Sequence, residues 1–349
     1  MKVAVIFGGM STEHDVSIAS GTSVIRNLDK EKYDIYPIYI DKNGDWYKYT
    51  KKAEELEPLK VGEKLKHVEK IENIINYLKQ VDVIFPVLHG LYGEDGTIQG
   101  LFELIKKPYV GCKTLSSSLA MDKAYAKMIF EKAKIKQTKH IFIKKIKNSY
   151  ILIKKDLTEK MMDIDKIGLY IAQKINFPMF IKPSNSGSSV GIKKAKTLKE
   201  LKDAIINAEK YDRKIIIEEG VSGREIECAV LGNEDVLATC VGEILPSDEF
   251  YSYEAKYENK KSKTIIPANM DKSLQDKIKK IAVKAFKAID GRGLSRVDFF
   301  LKENGEILLN EINTMPGFTE ISMYSKLWNE EGLSYSVLLD KLINLAIEK

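Results

Sequence analysis

Two acidic residues near the carboxyl end of this sequence, Asp298 and Glu311, are predicted to face each other across a β-hairpin. They lie in two β-rich runs separated by Asn304-Gly305, a strong signal for a hairpin with a two-residue turn. In the register set by that turn, Arg296 also faces Asn313, and side-chain alternation places all four polar residues on one face. In the same register, Phe300 and Leu309 lie on this face as well. The other face carries Val297, Phe299, Leu308 and Ile312.

Facing carboxylates repel each other unless a cation lies between them. A divalent metal ion is one such cation, and carboxylate and amide oxygens are the hard ligands that magnesium prefers. Asp298, Glu311 and Asn313 are therefore candidate metal ligands. In the alternative interpretation the face is solvated, and Arg296 offsets the mismatch of charge.

A second candidate site is the Gly/Ser-rich loop Ser184–Gly191, which follows a predicted strand ending in Lys182. Backbone N–H groups, hydroxyls and a lysine charge in this arrangement can bind phosphate, although the Gly-Lys-Ser/Thr of a Walker A loop is absent. A flexible surface turn is the alternative. A second lysine, Lys123, lies in a helical pattern and taken alone is an ordinary solvated lysine.

Two further acids lie at the ends of predicted strands. Glu218 ends an apolar run, and Glu225 lies beyond a turn at Val221–Gly223. Carboxylates in such positions can accept hydrogen bonds from an adenine amino group or from ribose hydroxyls. Taken in isolation, they are better explained as exposed acids.

Two glycine-containing loops follow predicted strands in the first third, which places them in the ligand crevice of an open α/β sheet. Glu13 in the first loop can hold a substrate ammonium, although helix capping by Thr12 or Asp15 would explain much of that motif. His89 shares the second loop with two acids, and it either contacts substrate or has a structural role.

Length and composition limit the class of protein. A chain of 349 residues suits two or three domains. Lys and Arg number 56 against 50 Asp and Glu, and the net charge of +6 is dispersed, which argues against a nucleic-acid partner. Cys112, Cys228 and Cys240 are too scattered for a disulfide framework and are predicted to be buried thiols in a reducing compartment. No stretch is apolar for long enough to be a signal peptide or membrane span, so we expect a cytoplasmic protein without membrane contact.

The order of predicted elements indicates an α/β layer in the first third, followed by a smaller Lys-rich section. The stretch from Lys144 to Lys160 has no pattern that can be interpreted. A polar segment from Pro246 to Ala268 contains Phe250–Tyr257 and is predicted to be a lid over a site. A disordered insertion is the alternative, but the interleaved aromatic residues argue against it.

Taken in order, these motifs resemble the D-alanine:D-alanine ligase family of the ATP-grasp superfamily. No single motif is decisive, but the ordered set spans nearly the whole chain and is specific. The shared motifs are Gly-Gly-Met-Ser-Thr-Glu-His at 8–14, Leu-His-Gly and Gly-Glu-Asp-Gly within 88–96, Met-Asp-Lys at 121–123, Lys-Pro and Gly-Ser-Ser-Val-Gly within 182–191, Glu-Ala-Lys-Tyr at 254–257, Arg-Val-Asp at 296–298, and Asn-Glu-Ile-Asn-Thr-Met-Pro-Gly at 310–317.

The resemblance implies an α/β, three-domain ATP-grasp fold. An N-terminal open α/β (Rossmann-like) domain at 1–112 would bind substrate. A central ATP-grasp domain at 113–217 and a C-terminal one at 218–349 would hold ATP between them, and the C-terminal domain would carry the metal and second-substrate sites. The resemblance also implies a homodimer.

By the same resemblance, ATP phosphorylates the carboxylate of one D-alanine, and the amine of a second attacks the acyl phosphate to give D-alanyl-D-alanine for peptidoglycan precursors. The implied catalytic residues are Glu13, Ser188, Tyr257, Arg296 and Lys256, and the implied substrate ligands are His89, Gly317 and Ser322. The implied ATP ligands are Lys123, Lys182, Ser189, Glu218 and Glu225, and the implied ligands of two Mg²⁺ ions, with Mn²⁺ as a substitute, are Asp298, Glu311 and Asn313.

Two positions bear on the choice of substrate within the family. Relatives that use D-lactate carry His where this chain has Tyr257, and those that use D-serine commonly carry Arg where it has Met323. Both positions therefore favour D-alanine. A D-alanine:D-serine ligase and a catalytically silent ATP-binding regulator are the alternatives, whereas a nicotinamide dehydrogenase is disfavoured because the next glycine after Gly8-Gly9 is Gly21.

Overall fold

The computed structural model describes residues 1–187, 190–245, 263–319 and 321–348. These residues form three β-sheets with helices packed against them, which confirms the predicted mixed α/β fold class. The helices are α1 His14–Asn27, α2 Ile74–Leu78, α3 Thr97–Leu104, α4 Thr114–Met121, α5 Lys123–Lys132, α6 Ile164–Lys174, α7 Leu198–Ala208, α8 Lys272–Ala288, α9 Met323–Glu330 and α10 Tyr335–Ile347, with a 3₁₀ helix at Ala53–Glu55.

The first sheet has the strand order β4-β3-β2-β1-β5. Strand β1 pairs in parallel with β2 and with β5, and the pairs β2–β3 and β3–β4 are antiparallel. The loops that carry Glu13 and His89 follow β1 and β5, so both lie at the carboxyl edge of parallel strands, as expected for a ligand crevice. The strands are β1 Lys2–Gly8, β2 Asp34–Ile40, β3 Trp46–Tyr49, β4 Val68–Lys70 and β5 Val83–Val87.

The second sheet is antiparallel, with the order β10-β9-β11-β6-β7-β8. The stretch from Lys144 to Lys160, which had no interpretable pattern, belongs to the meander β6–β7–β8. Its first turn was hard to recognise because Lys147, rather than glycine or asparagine, has the positive φ of 48°. The strands are β6 His140–Ile146, β7 Ser149–Ile153, β8 Glu159–Met162, β9 Met179–Pro183, β10 Lys193–Ala195 and β11 Lys214–Glu219.

The third sheet is also antiparallel, with the order β14-β13-β12-β15-β16. Its strands β12 and β15 pair along their whole length, which places the β15–β16 hairpin beside the central strand β12. The strands are β12 Arg224–Gly232, β13 Leu237–Leu245, β14 Lys263–Ile265, β15 Gly293–Leu301 and β16 Ile307–Asn313.

The β15–β16 hairpin has the predicted pairing of Asp298 with Glu311, but its turn differs from the prediction. Lys302 and Glu306 close a three-residue loop in which Gly305 has φ of 80°. Near the turn, the pairing is therefore shifted by one residue from the predicted register. A second shift between Phe299 and Asp298 restores the predicted pairing from Asp298 onward. The predicted faces of Leu308 and Leu309 were wrong: Leu308 pairs with Phe300, and Leu309 packs in the core with Val297, Phe299 and Ile312.

The hydrophobic cores join segments that are far apart in sequence. Helices α9 and α10 pack their apolar residues into the same core as β1, α1 and β5. Helices α4 and α5 contribute Ala120, Ala126 and Phe130 to the core beneath the third sheet, together with Phe286 and Phe299. Helix α9 was not predicted, although Met323, Tyr324, Leu327 and Trp328 have the spacing of a buried helical face.

Cys112 and Cys228 are buried, Cys240 is half-buried, and all three are free thiols. Across the parts of the chain that the structure covers, no helix is long and apolar enough to cross a bilayer.

Candidate active site

A cavity of about 240 Å³ lies where residues from all three sheets converge. It brings together side chains that the sequence places in widely separated motifs, and its lining is strongly charged. The predicted site residues that line it are Glu13, His89, Lys123, Lys182, Glu218, Glu225, Arg296, Asp298, Glu311, Asn313 and Gly317.

Arg296 is in close contact with the acidic face of the hairpin. Its Nε and Nη2 donate to the two carboxylate oxygens of Asp298 at 2.7 Å each, and Nε also lies 3.2 Å from Glu227 Oε2. Burial alone would lower the pKa of Arg296, but the carboxylates of Asp298 and Glu227 outweigh burial and hold it well above its usual value. Arg296 therefore offsets the charge of the facing acids, as the alternative interpretation expects, but the face is not solvated in the way that interpretation assumes, since the Arg296 and Asp298 side chains are 18% and 13% exposed.

The predicted metal ligands have the chemistry that a divalent ion requires. Asp298 and Glu311 face each other, and Asn313 Nδ2 donates to Asp298 Oδ2 at 3.0 Å, which leaves its amide oxygen for a cation. Among the residues with a described placement, no three His, Cys, Asp or Glu side chains form a metal-binding group. The donor set of two carboxylates and one amide oxygen nevertheless suits a hard cation.

Glu218 lies between two lysines. Its Oε2 is 2.6 Å from Lys182 Nζ and its Oε1 is 2.6 Å from Lys127 Nζ, while the Thr138 hydroxyl donates to Oε1 at 2.7 Å. Burial would raise the pKa of Glu218, but the ammonium groups of Lys127 and Lys182 hold it well below its usual range. The predicted exposed alternative for Glu218 was wrong, since this residue is 4% exposed.

Lys123 is positioned by the start of helix α5. The carboxylate of Asp122 caps this helix by accepting from the Ala124 and Tyr125 N–H groups. Lys123 Nζ donates to the Ser186 carbonyl at 2.7 Å and lies 3.8 Å from Glu311 Oε2. This lysine therefore joins the Gly/Ser-rich loop to the acidic hairpin and is not an ordinary solvated lysine.

The N-cap residue of helix α1 is Glu13 and not Thr12 or Asp15, the two predicted capping candidates, and the Glu13 side chain makes no capping hydrogen bond. It is 8% exposed, and its carboxylate lies against the backbone of two glycines. A Cβ at either Gly90 or Gly187 would come within 2.5 Å of Glu13 Oε2. Three loops, two from the first sheet and one from the second, therefore meet at this carboxylate.

Both ring nitrogens of His89 are hydrogen-bonded within the protein. Because the Met315 carbonyl can only accept, Nδ1 donates to it at 3.0 Å. Burial lowers the pKa of His89, so Nε2 of the neutral ring accepts from the Ser20 hydroxyl at 3.0 Å. The Phe318 N–H in turn donates to Ser20 Oγ at 3.2 Å. The structural role considered for His89 is thus present.

Glu94 is a cavity residue that was not selected from the sequence. Its Oε2 accepts from the Gly90 N–H at 2.9 Å and its Oε1 accepts from the Met315 N–H at 3.0 Å. With His89, it binds both backbone polar groups of Met315. Burial and the neighbouring Glu13 charge raise the pKa of Glu94 to about 8. Its position in a glycine-rich loop at a strand end was the signal that could have identified it.

The Glu94→Gln substitution should reduce the pH dependence of stability. The pKa of Glu94 is raised in the folded protein, so its contribution to stability is present at low pH and is lost as the pH rises through about 8. The wild type should therefore lose unfolding free energy relative to Glu94→Gln between about pH 5 and pH 9. Denaturant unfolding across this range tests the prediction, with Asp95→Asn as control. Parallel curves for the wild type and Glu94→Gln would contradict it.

Gly317 and Ser322 lie next to each other, as their shared predicted role requires. Ser322 Oγ accepts from the Thr319 N–H at 3.0 Å, and a Cβ at Gly317 would lie 2.8 Å from the same oxygen. Ser322 also immediately precedes helix α9. Met323, which bears on substrate choice, is 5% exposed and belongs to the core beneath this site.

Four predicted site residues lie outside the described ranges. Ser188 and Ser189 lie between the described residues 187 and 190. Lys256 and Tyr257 lie between the described residues 245 and 263, and the predicted lid segment lies there too except for its last residues.

Two family models match the sequence. A model described as the D-ala D-ala ligase N-terminus matches residues 2–112, and one described as the D-ala D-ala ligase C-terminus matches residues 145–344. Together they extend over most of the chain, and the cavity residues Lys123 and Thr138 lie in the stretch between them.

Individual relatives are similar over nearly their full length. The chain is 49% identical to a D-alanine–D-alanine ligase of Clostridium acetobutylicum, covering 100% of this chain and 98% of the relative. The structure of VanG D-Ala:D-Ser ligase from Enterococcus faecalis superposes with a TM-score of 0.84 at 39% identity, covering 99% of each chain. The D-alanine-D-alanine ligase from Coxiella burnetii superposes with a TM-score of 0.81 at 32% identity, covering 99% of this chain and 94% of that one.

Proposed function

Because this chain belongs to the D-alanine–D-alanine ligase family, we propose that it joins two D-alanine molecules in an ATP-dependent reaction that releases ADP and phosphate. The product, D-alanyl-D-alanine, is a precursor of peptidoglycan. The observation that carries the proposal is that motif residues associated with all three sheets line one cavity. A convergence of this kind is expected of an enzyme that must bring three substrates together.

In this reaction, ATP phosphorylates the carboxylate of the first D-alanine. Glu13, which is buried beside Gly90 and Gly187, would bind the ammonium of that substrate. Lys123 and Lys182 would hold the phosphates of ATP, with Glu218 and Glu225 on the adenine and ribose sides. Positive charge on this side of the cavity favours the transferring phosphoryl group, because negative charge is spread over its oxygens.

In the second step, the amine of the second D-alanine attacks the acyl phosphate and phosphate leaves. The Gly317 backbone and Ser322 would receive the carboxylate of this second substrate. Arg296 would offset the negative charge that develops on the tetrahedral intermediate, and Asp298 and Glu227 keep its guanidinium oriented. As the family resemblance implies, Ser188, Tyr257 and Lys256 would be catalytic residues, and Ser189 would bind ATP. His89 would lie near the carboxylate of the first substrate, and its hydrogen bonds to Ser20 and Met315 would hold the ring in place.

Asp298, Glu311 and Asn313 are the residues that would hold divalent metal. Two Mg²⁺ ions, or Mn²⁺ in their place, would offset charge on the phosphates when bound. We assign the metal to these residues because they are hard oxygen donors grouped on one face of the hairpin.

The direct test is product formation by the purified protein. With ATP, Mg²⁺ and D-alanine it should release phosphate and form the dipeptide. Phosphate release no greater than with L-alanine would refute the proposed activity. If replacing Asp298 and Glu311 left ATP binding unchanged and the wild type also gave no reaction, the silent regulator would become the better hypothesis.

A D-alanine:D-serine ligase is the second candidate, because a relative of that kind superposes with a TM-score of 0.84. D-alanine is favoured because Met323, rather than arginine, lies in the core beneath Ser322. A competition assay with both amino acids decides between the candidates, and a mixed dipeptide ending in D-serine would support the second.

Domain organisation and assembly form part of the same proposal. We place the first domain at 1–112 and the second boundary between Glu219 and Arg224, because β11 continues through residues 218 and 219 beyond the predicted limit of 217. We further propose a homodimer that works in the cytoplasm, where ATP is available. Sedimentation or light scattering of the purified chain tests the dimer.

The Gly187→Ala substitution should weaken D-alanine binding with little loss of stability. A Cβ at this position would lie 2.5 Å from Glu13 Oε2, so it must displace the carboxylate that would bind the first ammonium. We expect the KM for D-alanine to rise about tenfold, a loss of roughly 1.4 kcal/mol. Steady-state kinetics test this, with Gly100→Ala as control because a Cβ there meets nothing within 4 Å. An unchanged KM would remove Glu13 from the substrate site.

A further inference from the structure

Lys127 is a buried lysine that none of the family motifs above includes. Its side chain is 4% exposed, and Nζ lies 2.6 Å from Glu218 Oε1. The hydroxyl of Thr138 lies 3.5 Å from the same Nζ and also donates to Glu218. Lys127 follows Lys123 by four residues in helix α5, so the two side chains are on the same helical face.

Lys127 lies behind Glu218 relative to the main cavity. Lys182, Glu218 and Lys123 line both the main cavity and an adjoining space of about 10 Å³, whereas Lys127 lines the adjoining space and not the main cavity. A space of that size is near the lower limit for one water molecule. Lys127 is therefore positioned to act on Glu218 and not on a ligand in the cavity.

The arrangement presents a conflict for phosphate binding. Lys182 is proposed to bind the nucleotide phosphates, but in the ligand-free protein its Nζ is 2.6 Å from Glu218 Oε2. If Lys182 turned toward a phosphate and Glu218 had no other cation, a carboxylate that is 4% exposed would be left without compensation. Leaving a buried carboxylate without a counter-ion is strongly unfavourable.

We propose that Lys127 is a positioning residue for the nucleotide: it keeps Glu218 charge-compensated and thereby allows Lys182 to exchange its contact with Glu218 for one with the phosphates. The exchange forms one ion pair as it breaks another, and the Lys127–Glu218 pair is unchanged throughout. This inference rests on the proposed use of ATP. Without Lys127, Lys182 would be the principal counter-ion of Glu218 and would be held away from the nucleotide.

The test measures binding of a non-hydrolysable ATP analogue with Mg²⁺ by calorimetry, without D-alanine. Lys127→Met should weaken binding at least about tenfold, because Lys182 stays paired with Glu218. Lys132→Met is the matched control, since Lys132 lies on the same helix and is exposed. The KM for D-alanine should be much less affected than that for ATP, which a general structural defect would not produce.

The double variant Lys127→Met/Glu218→Gln separates charge compensation from packing. Because it removes both members of the pair, it should bind the analogue more tightly than Lys127→Met and about as well as Glu218→Gln alone. The comparison of the double variant with Glu218→Gln can still be made if Lys127→Met does not fold, because replacing both charges avoids a buried unpaired carboxylate.

Three outcomes would overturn the inference. The first is wild-type affinity for the ATP analogue in a folded Lys127→Met variant. The second is a loss of affinity from Glu218→Gln to the double variant as large as the loss from wild type to Lys127→Met. The third is a wild-type protein that binds no nucleotide. A wild type that binds the analogue but forms no dipeptide would refute the proposed ligase activity and leave the inference standing.

Discussion

The Arg296→Met substitution should strongly slow dipeptide formation and also destabilise the fold. Arg296 makes a bidentate pair with Asp298 and contacts Glu227, and its side chain is 18% exposed. The strand register places Glu227 opposite Asp298 and Asp298 opposite Glu311, so three acids lie in a row across β12, β15 and β16. Removing the guanidinium leaves this row without its main cation, a loss of about 3 kcal/mol or more.

We expect kcat to fall by at least about 10²-fold, the range observed when one group that stabilises developing charge is removed. Denaturant unfolding and steady-state kinetics measure the two effects. Mg²⁺ should stabilise Arg296→Met more than the wild type, because the acids have then lost the guanidinium that offsets their charge.

Arg292→Met is the matched control, since Arg292 forms a 3.8 Å pair with Glu234 that is largely exposed to solvent. That variant should change unfolding free energy by no more than about 1 kcal/mol. If Arg296→Met retained wild-type kcat, Arg296 would have no role in offsetting charge during the reaction.

The Glu311→Gln substitution should separate activity from stability. Glu311 faces Asp298, so neutralising it removes a repulsion between like charges. The contact between Glu311 Oε2 and Lys123 Nζ is long, 3.8 Å, and contributes little. We therefore expect unchanged or higher unfolding free energy together with a loss of kcat of about 10²-fold or more, because Glu311 is a proposed metal ligand.

Glu306→Gln is the control for this second prediction, because Glu306 is an acid on the same hairpin that pairs with Lys136 and Lys302 away from the cavity. It should keep wild-type kcat and the same dependence of rate on Mg²⁺ concentration. Wild-type activity in Glu311→Gln would exclude metal binding at this position. A marked loss of stability would show that its charge is needed for folding.

Several parts of the site could be predicted because local sequence rules are strong there. The pairing of Asp298 with Glu311 follows from two β-rich runs and a turn signal, and it holds although the turn has three residues. The placement of Glu13 and His89 follows from strand-to-loop order in a parallel sheet. In each case the positions are set by hydrogen bonding within one hairpin or at one sheet edge.

Other parts could not be predicted, because they depend on contacts between distant segments. Glu94 was missed since its partner, the Met315 N–H, lies 221 positions away along the chain. Lys127 was missed since an isolated lysine in a helical pattern gives no sign that it will be buried against Glu218. The Lys144–Lys160 stretch was missed because its strands are short and their exposed residues do not alternate with apolar ones.

The sequence by itself determined the ordered set of motifs, the α/β class and the hairpin that presents the acids, because these depend on local backbone preferences and on side-chain alternation. Only the tertiary structure decided which charges neutralise one another: Arg296 binds Asp298, two lysines bind Glu218, and Met315 is held by His89 and Glu94. The physical reason is that ion pairing at a few ångströms depends on how three sheets pack together, and no local pattern encodes that packing.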